Sequence, residues 1–392
     1  MLPLDGVTVV SVEQAVSAPF ASRQLADLGA RVIKIERPTE GDFARYYDRA
    51  VKGMSSHFVW LNRSKKSLTL DIKHRLATEV LDRLLEHADV FIQNLAPGAA
   101  ARAGLGSSDL TKRYPRLILC NVSGYGQHGP YKHKKAYDLL IQCETGLVST
   151  TGTESSMAKV GVSIADIAAG MYAYSGVLTA LYQREKTGRG TVLDVSLFDA
   201  LGEWMGYPAY YTSYGGSPPT RTGLSHATIA PYGPYRTGDN RKVMLGIQNE
   251  REWHAFCDLV LHQPELINDP KYKNNSLRVA HREEMDELID SVFHELTAQA
   301  IIERLDRANI ANARINSVQE FWDHEQLRAR DRWRTIGSPV GPIEALLPPV
   351  IMRDADLQME KVPAPGEDNH EILRELGYDD AEIDRLKIEA AI

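Results

Sequence analysis

One aspartate in the sequence lies where a carboxylate could do chemistry. Asp166 sits near the start of the segment KVGVSIADIAAGMYAYSGVLTALYQREKTGRG (residues 159–190), whose apolar and small residues predict a long buried helix. Backbone N–H groups at the start of a helix can hold a carboxylate in its ionised form, and small neighbours such as Gly161 and Ala165 leave room for a ligand. An aspartate at this place is also a common helix cap. The spacing alone leaves both roles open.

Other residue patterns exclude several kinds of site. Three scattered cysteines among 392 residues form neither a disulfide framework nor a CxxC metal site, so no metal is expected. No GxGxxG follows the first strand, and GxxxxGK[ST], HExxH and GxSxG are missing. A formal net charge of −7 argues against a nucleic-acid surface. The sequence has no signal-peptide pattern and no apolar run long enough for a membrane span, which predicts a cytoplasmic protein.

The elements that must position Asp166 alternate between strands and helices. Apolar runs such as VTVVSV (Val7–Val12), RVIKIE (Arg31–Glu36) and SLTLDI (Ser67–Ile72) are separated by segments with helical spacing. This order predicts an α/β fold with a doubly wound parallel sheet and helices on both faces. Near Tyr207 the sequence becomes rich in Tyr, Gly and Pro and loses its period, which predicts a linker or a binding loop.

The chain is predicted to form three successive regions. Residues 1–206 form the first part of a large α/β domain. Residues 207–329 form the linker and a smaller α+β domain, with a hairpin that turns at Gly238–Asn240. Residues 330–392 form a return segment of short strands, Pro-rich turns and the C-terminal helix NHEILRELG.

Five sequence blocks, in order, resemble the family III CoA-transferases (the CaiB/BaiF family), which include formyl-CoA transferase, carnitine CoA-transferase and α-methylacyl-CoA racemase. The blocks are LADLGARVIKIERPTEGDFAR, LNRSKKSLTLDIK, ADVFIQNLAPGAAARAGL, SGYGQHGPYKHKKAYDLLIQCETGL and REKTGRGTVLDVSLFDA. The similarity covers most of residues 1–235 and weakens afterwards. It implies that residues 330–392 return to complete a large Rossmann-like domain, and that two chains form an interlocked homodimer.

The resemblance also implies that Asp166 is a nucleophile. In such a reaction the aspartate attacks the thioester of a donor acyl-CoA, which gives a mixed anhydride and CoA thiolate. The thiolate then forms an aspartyl-CoA thioester, which the acceptor carboxylate attacks. Covalent catalysis of this kind divides one difficult exchange into easier steps. A CoA thioester is therefore the expected substrate, and no permanently bound cofactor is implied.

Residues for CoA and for the thioester follow from the same motifs. The positions that match the family's CoA contacts are Arg37, Lys65, Asn94, Leu95 and Arg102. Cations among them suit the phosphates of CoA. Val16 and Ser17, in the loop after the first strand, match residues close to the thioester, where relatives often carry glutamine.

The acceptor side differs from that of formyl-CoA transferase. That enzyme has a run of four glycines, whereas only Gly215 and Gly216 occur here. The pattern R-x-G-x-x-H before PYG is similar to relatives that act on dicarboxylic acids, so Arg221 and His226 are expected to bind the acceptor's second carboxylate. The resemblance favours transfer from a donor such as succinyl-CoA to a C5 dicarboxylate such as itaconate, mesaconate or citramalate. Formate or oxalate and carnitine are alternative acceptors.

Two functions of other classes stay open. Racemases of this family carry a histidine where this sequence has Tyr137, directly before Asp138. A phenol is a poor proton shuttle at neutral pH, which disfavours racemisation. A non-catalytic acyl-CoA-binding protein would have no need of Asp166. Asp138 and Glu144 could assist proton transfer or cap helices.

Overall fold

The computed structural model describes residues 2–355, 357 and 359–392. The chain divides into two compact units. Unit 1 contains Met1–Leu147, Val160–Tyr207 and Leu327–Ile392, and unit 2 contains Val148–Lys159 and Pro208–Gln326. The chain thus leaves unit 1 after Tyr207 and returns to it at Leu327, whereas the predicted regions begin at residues 207 and 330. Segment 148–159, predicted as part of the large domain, belongs instead to unit 2.

The strands are short, as in most globular proteins. In chain order they are β1 (Thr8–Val12), β2 (Arg31–Glu36), β3 (Lys65–Thr69), β4 (Val90–Gln93), β5 (Ile118–Ser123), β6 (Gly152–Thr153), β7 (Ser156–Met157), β8 (Val192–Ser196), β9 (Tyr232–Arg236), β10 (Lys242–Gly246), β11 (Ala311–Arg314), β12 (Trp333–Ile336) and β13 (Ile343–Leu346).

The helices vary from single turns to the long α8. They are α1 (Ser17–Asp27), α2 (Ser56–Asn62), α3 (Ala77–Glu86), α4 (Ala99–Arg102), α5 (Ser107–Arg113), α6 (Asp138–Glu144), α7 (Leu147–Thr150), α8 (Ile164–Thr187), α9 (Leu197–Trp204), α10 (Gly206–Gly215), α11 (Glu250–Ala255), α12 (Asn275–Ala280), α13 (Arg282–Phe293), α14 (Ala298–Arg307), α15 (Val318–Trp322), α16 (Glu325–Ala329), α17 (Asn369–Glu375) and α18 (Asp380–Ile388). Residues Phe43–Tyr46 and Pro264–Asn268 are 3-10 helical, and Phe256–Leu261 form a π-helical turn.

A parallel sheet with strand order β3-β2-β1-β4-β5-β8 forms the centre of unit 1. This order, in which the chain builds outward in both directions from β1, confirms the predicted doubly wound fold. One face packs against α1, α8 and α9 through side chains such as Leu25, Ala169 and Leu201. The other face packs against α3, α5, α17 and α18. The carboxyl ends of β1, β2 and β4 therefore lie along one edge of the sheet, where such folds bind ligands.

Both ends of the chain contribute to unit 1. The C-terminal segment lies beside β3, where the Ser67 N–H donates to Oδ2 of Asp368 at 2.8 Å and the Thr69 N–H donates to Oδ1 of Asn369 at 2.8 Å. The return segment also contains α18, a helix beyond the predicted C-terminal one, and its Ile383 is fully buried in the core.

Helix α8 is close to α1 because its contact face carries small residues. A Cβ added to Gly170 would lie 2.7 Å from the carbonyl oxygen of Ser17, so only glycine allows this approach. By length and composition α8 also resembles a membrane span. Its alanine face is buried against α1 and the sheet, as expected for the core helix of a globular unit.

Unit 2 is built on an antiparallel sheet of order β11-β10-β9. The β9–β10 hairpin turns at Gly238–Asn240, which confirms that prediction. Its core contains Trp253, Phe256 and Ile289. Helix α10 occupies the place of the predicted linker. The helix was missed because tyrosines have weak helix preference, whereas Pro208 is tolerated in a first helical turn.

Candidate active site

Asp166 lies in the first turn of α8, and it is not the helix cap. Ser163 occupies the N-cap position, and the side chain that caps the helix comes from α6. Oδ1 of Asp138 accepts the N–H of Ala165 at 2.7 Å and that of Asp166 at 3.4 Å. The other oxygen of Asp138 accepts from Gln142 at 2.6 Å. The capping role suggested for Asp166 was therefore wrong, and Asp138 fills it.

The Asp166 side chain is half-buried and is harder to ionise than an ordinary aspartate. Burial, followed by the nearby charge of Asp138, raises the pKa of Asp166 from 3.8 to about 7, and a hydrogen bond with Ser17 opposes this rise. The sequence had suggested that the helix start would keep the carboxylate ionised. The loss of hydration and the second carboxylate outweigh that effect.

Two tyrosines contribute to the surroundings of Asp166. Burial and then the charges of Asp42, Asp166 and Tyr137 raise the pKa of Tyr47 to about 12. Tyr137 immediately precedes α6 and is 71% exposed, so it is accessible to a ligand. Tyr47 was not predicted, because nothing in its local sequence marks it. Only its position after the 3-10 helix brings it near Asp166.

The loop between β1 and α1 brings Val16 and Ser17 to the site. Both residues are buried, and Val16 packs with Phe20 and Leu61. Asn94 holds the loop from β4, since its side chain accepts the Gln14 N–H at 2.9 Å and donates to the Gln14 carbonyl at 2.8 Å. Asn94, predicted to contact CoA, thus has a clear structural role here.

Beneath this loop lies a buried ionic network around Glu13. Oε1 of Glu13 accepts from Lys65 Nζ at 2.7 Å, and Lys34 lies 3.5 Å away. Burial opposes ionisation of Glu13, but Lys65 and Lys34 together hold its pKa below the usual value. Lys65 also donates to Pro19 O and Asn62 Oδ1, both at 3.0 Å. The three donors of the Lys65 ammonium are therefore used inside the protein, and a CoA phosphate would find none of them available.

The remaining predicted CoA residues lie nearer the surface. Arg37 directly follows β2 and is exposed, with Glu40 at 3.7 Å. Arg102 is exposed at the end of α4. Leu95 follows β4 and is half-buried, and its N–H donates to Gln93 at 2.8 Å. Arg37 and Leu95 thus lie at the same sheet edge as Ser17, and both arginines are accessible to an anionic ligand.

The predicted acceptor residues belong to unit 2. Gly215 ends α10, and Gly216 follows with φ of 84°. Arg221 donates to the carbonyl oxygens of Thr153, Ser149 and Glu154 at 2.8, 3.0 and 2.8 Å, so it ties segment 148–159 into unit 2. These bonds explain why segment 148–159 belongs to unit 2 rather than to the predicted large domain. They also leave the Arg221 guanidinium only partly available to a carboxylate.

His226 is held by two contacts. Its ring stacks on Tyr232 with centroids 5.3 Å apart, and its Nδ1 accepts the Thr228 N–H at 3.2 Å. Nδ1 is thus the acceptor of this bond, which leaves Nε2 as the ring nitrogen that could donate to a ligand.

The half-buried carboxylate of Asp166 thus lies beside the start of α1, near the ligand-binding edge of a doubly wound sheet, where a carboxylate can serve an acyl-transfer enzyme as a nucleophile. The family comparison agrees: the chain belongs to CoA-transferase family III, whose family model matches residues 4–370. The chain is 33% identical over 393 residues to succinyl-CoA:glutarate CoA-transferase from Mus musculus, covering 98% of this chain and 89% of that protein. It is 31% identical over 382 residues to succinyl-CoA--D-citramalate CoA-transferase from Chloroflexus aurantiacus, covering 95% and 94%.

A solved structure has the same fold over nearly the whole chain. The crystal structure of a CAIB/BAIF family protein from Brucella suis superposes with a TM-score of 0.85 at 31% identity, covering 96% of this chain and 99% of that one. The family prediction is therefore confirmed, and the protein is a family III CoA-transferase.

Proposed function

We propose that this enzyme transfers CoA from succinyl-CoA to a small dicarboxylic acid, with Asp166 as the covalent nucleophile. The observation that carries the proposal is the placement of Asp166: its half-buried carboxylate lies at the start of α8, near Ser17 and beside Asp138. Poor hydration makes a carboxylate more reactive toward a thioester carbonyl.

The proposed reaction proceeds in four balanced exchanges. An oxygen of Asp166 attacks the succinyl thioester, the C–S bond breaks, and CoA leaves as thiolate. The thiolate attacks the aspartyl carbonyl of the anhydride, which releases succinate and gives an aspartyl-CoA thioester. The acceptor carboxylate then displaces the thiolate, which finally attacks the acceptor's carbonyl and frees Asp166. No proton is consumed, so the enzyme needs an ionised Asp166 at the start and regenerates it at the end.

The proposed acceptor is a C5 dicarboxylate, with glutarate and citramalate as first candidates. Support comes from the names of the mouse and Chloroflexus relatives, which share succinyl-CoA as donor and take these two acids. Itaconate and mesaconate have the same number of carbons and belong in the same panel. His226 is the proposed contact for the acceptor's second carboxylate, with Arg221 supporting it through its remaining N–H groups.

The phosphates of CoA are proposed to bind Arg37 and Arg102. Both cations are exposed, and Arg37 and Leu95 lie at the sheet edge where Ser17 is presented. Lys65 is proposed to act indirectly, by fixing Glu13 under the loop that carries Val16 and Ser17.

The experiment that tests this function mixes the purified protein with succinyl-CoA and equal amounts of glutarate, citramalate, itaconate, mesaconate, oxalate, formate and carnitine. New CoA thioesters are identified by mass spectrometry, with Asp166→Asn as the control. Formation of glutaryl-CoA or citramalyl-CoA by the wild type alone supports the proposal. Oxalyl-CoA or formyl-CoA as the main product would contradict the acceptor class. Absence of new thioesters, together with exchange of the α-proton of 2-methylacyl-CoA with deuterated solvent, would favour a racemase.

We also infer a cytoplasmic homodimer. Exposed aromatic residues on α10, Tyr210 at 70% and Tyr214 at 85%, and the exposed Leu139 and Leu140 of α6 support an interface with a second copy. Sedimentation equilibrium of the purified protein tests the dimer, and a mass of one chain at micromolar concentration would refute it.

A further inference from the structure

The loop that presents Ser17 has an unusual backbone conformation. Ala15, two residues before Ser17, has φ of 64°, in the left-handed region that residues with a Cβ rarely adopt. Such conformations persist only where the surroundings hold them. The Ala15 N–H donates to Oδ1 of Asp42 at 3.2 Å. A side chain from after β2 thus fixes the backbone immediately before α1.

Asp42 is itself held firmly. Its Oδ1 also accepts the Ala44 N–H at 2.9 Å, and its Oδ2 accepts from Lys34 Nζ at 2.9 Å. The side chains of Asp42 and Lys34 form a fully buried ion pair. Lys34 also donates to the carbonyl oxygen of Glu13 at 3.2 Å, so the same pair contacts the loop at Glu13 and at Ala15.

We propose that Asp42 is a positioning residue for the transfer reaction, because its carboxylate holds Ala15 so that the Ser17 hydroxyl reaches Asp166. This inference rests on the proposed function of Asp166 and extends it to a residue that touches no substrate. Without an acceptor at position 42, the Ala15 backbone relaxes out of the left-handed region. The start of α1 then moves, and Ser17 moves with it.

The Ser17 side chain affects the charge of the proposed nucleophile. It lowers the pKa of Asp166 against the opposing effects of burial and Asp138. Tyr47 also interacts electrostatically with Asp166, and Tyr137 interacts with Tyr47. Loss of Ser17 positioning therefore raises the pKa of Asp166 further and leaves less of it ionised at neutral pH. The KM for succinyl-CoA is expected to change little, because Arg37 and Arg102 are untouched.

A matched pair of double variants isolates the acceptor at position 42. Lys34→Met/Asp42→Asn and Lys34→Met/Asp42→Leu both remove the buried ion pair, but only asparagine keeps an oxygen for the Ala15 N–H. Replacing a buried ion pair by residues of similar volume is often tolerated, and Lys65 continues to compensate Glu13. The assay is exchange of isotope-labelled succinate into succinyl-CoA, which needs no acceptor acid. Thermal unfolding shows that each variant is folded, and the single changes Asp42→Asn and Asp42→Ala repeat the comparison with Lys34 kept.

The leucine variant is expected to have a kcat about tenfold below that of the asparagine variant, with the acid limb of its pH profile at higher pH and KM within about twofold. In a Ser17→Ala background this difference is expected to disappear. As a control, Asp27→Asn disturbs the buried ion pair with Arg63 at the far end of α1 and should lower stability without moving the acid limb. Equal kcat values and pH profiles for the asparagine and leucine variants would overturn the positioning role of Asp42 but not the proposed function. A difference that persists fully in the Ser17→Ala background would do the same. Absence of exchange in the wild type would overturn the proposed function and this inference with it.

Discussion

Replacing Asp138 by asparagine tests the electrostatic basis of the site. The asparagine side chain keeps an oxygen that can accept the Ala165 N–H, so the cap on α8 is largely preserved. The substitution removes the negative charge that helps to raise the pKa of Asp166. We therefore expect Asp166 to ionise at lower pH while the fold is unchanged.

The structure limits the size of this effect. Burial is the larger cause and Asp138 the second, so Asp138→Asn lowers the pKa of Asp166 from about 7 only part of the way toward 3.8. A change on the order of one to two pH units corresponds to about 1.4 to 2.7 kcal/mol between the two protonation states. Because the ionised form is the proposed nucleophile, activity is expected to be lost as pH falls through this pKa. The variant should lose it at lower pH than the wild type.

The assay is kcat/KM for succinyl-CoA between pH 5 and 9, since this ratio reports the ionisation of the free enzyme. The ratio of activity at pH 6 to that at pH 8 should increase several-fold in Asp138→Asn. Asp379→Asn is the matched control, because it changes the capping carboxylate of α18, which packs on the opposite face of the sheet. An acid limb that stays in place in Asp138→Asn would refute the assignment of the raised pKa to this pair.

Three further predictions follow from the same contacts. Asp166→Asn should lower exchange at least about a thousandfold. The same substitution should raise the free energy of unfolding by about 1–3 kcal/mol at pH 8 and by less at pH 4. The reason is that a carboxyl group with a raised pKa lowers the stability of the fold as pH rises from 3.8 through 7. Urea unfolding at both pH values tests whether the substitution stabilises the protein. Gly170→Ala places a Cβ against the Ser17 carbonyl, so we expect about 1–3 kcal/mol of destabilisation and lower exchange. Gly176→Ala is the control on the same helix, because the nearest neighbour of its added Cβ is 3.5 Å away. It should change neither the free energy of unfolding nor the exchange rate appreciably. Lys65→Met leaves Glu13 with Lys34 alone and should cost about 3–5 kcal/mol by urea unfolding, and a stability equal to wild type would contradict its role in the network.

The parallel sheet could be predicted because its signals are local. β2 spans the same residues as the predicted strand, since an apolar run is bounded by Gly29 and Arg37-Pro38. β3 begins earlier than predicted, because Lys65 and Lys66 look like solvent-exposed residues in the sequence. Lys65 belongs to a buried strand only because Glu13 compensates its charge across the fold, and no local pattern shows this.

The candidate site was less predictable than the sheet, because it too depends on contacts between residues that are distant in sequence. The small residues around Asp166 mark a helix start with room for a ligand, and the sequence blocks mark its chemistry. Its ionisation depends on Asp138, which is 28 residues away in sequence and reaches α8 only after folding. Arg221 illustrates the opposite case. A local motif predicted a carboxylate contact, but most of its contacts are backbone carbonyls of segment 148–159, which only the tertiary structure brings to it.

The raised pKa of Asp166 suits a group that must both attack and leave. In the proposed cycle the Asp166 carboxylate attacks the succinyl carbonyl in the first exchange and is displaced from the acceptor's carbonyl by CoA thiolate in the last one. A strongly hydrated carboxylate would be a good leaving group and a weak nucleophile, whereas a fully desolvated one would stay protonated at neutral pH. Burial and Asp138 push the pKa up, and Ser17 opposes them, which leaves it at about 7. The loop that carries Ser17, held by Asp42 and Asn94, therefore contributes to reactivity through the charge of Asp166 as well as through shape.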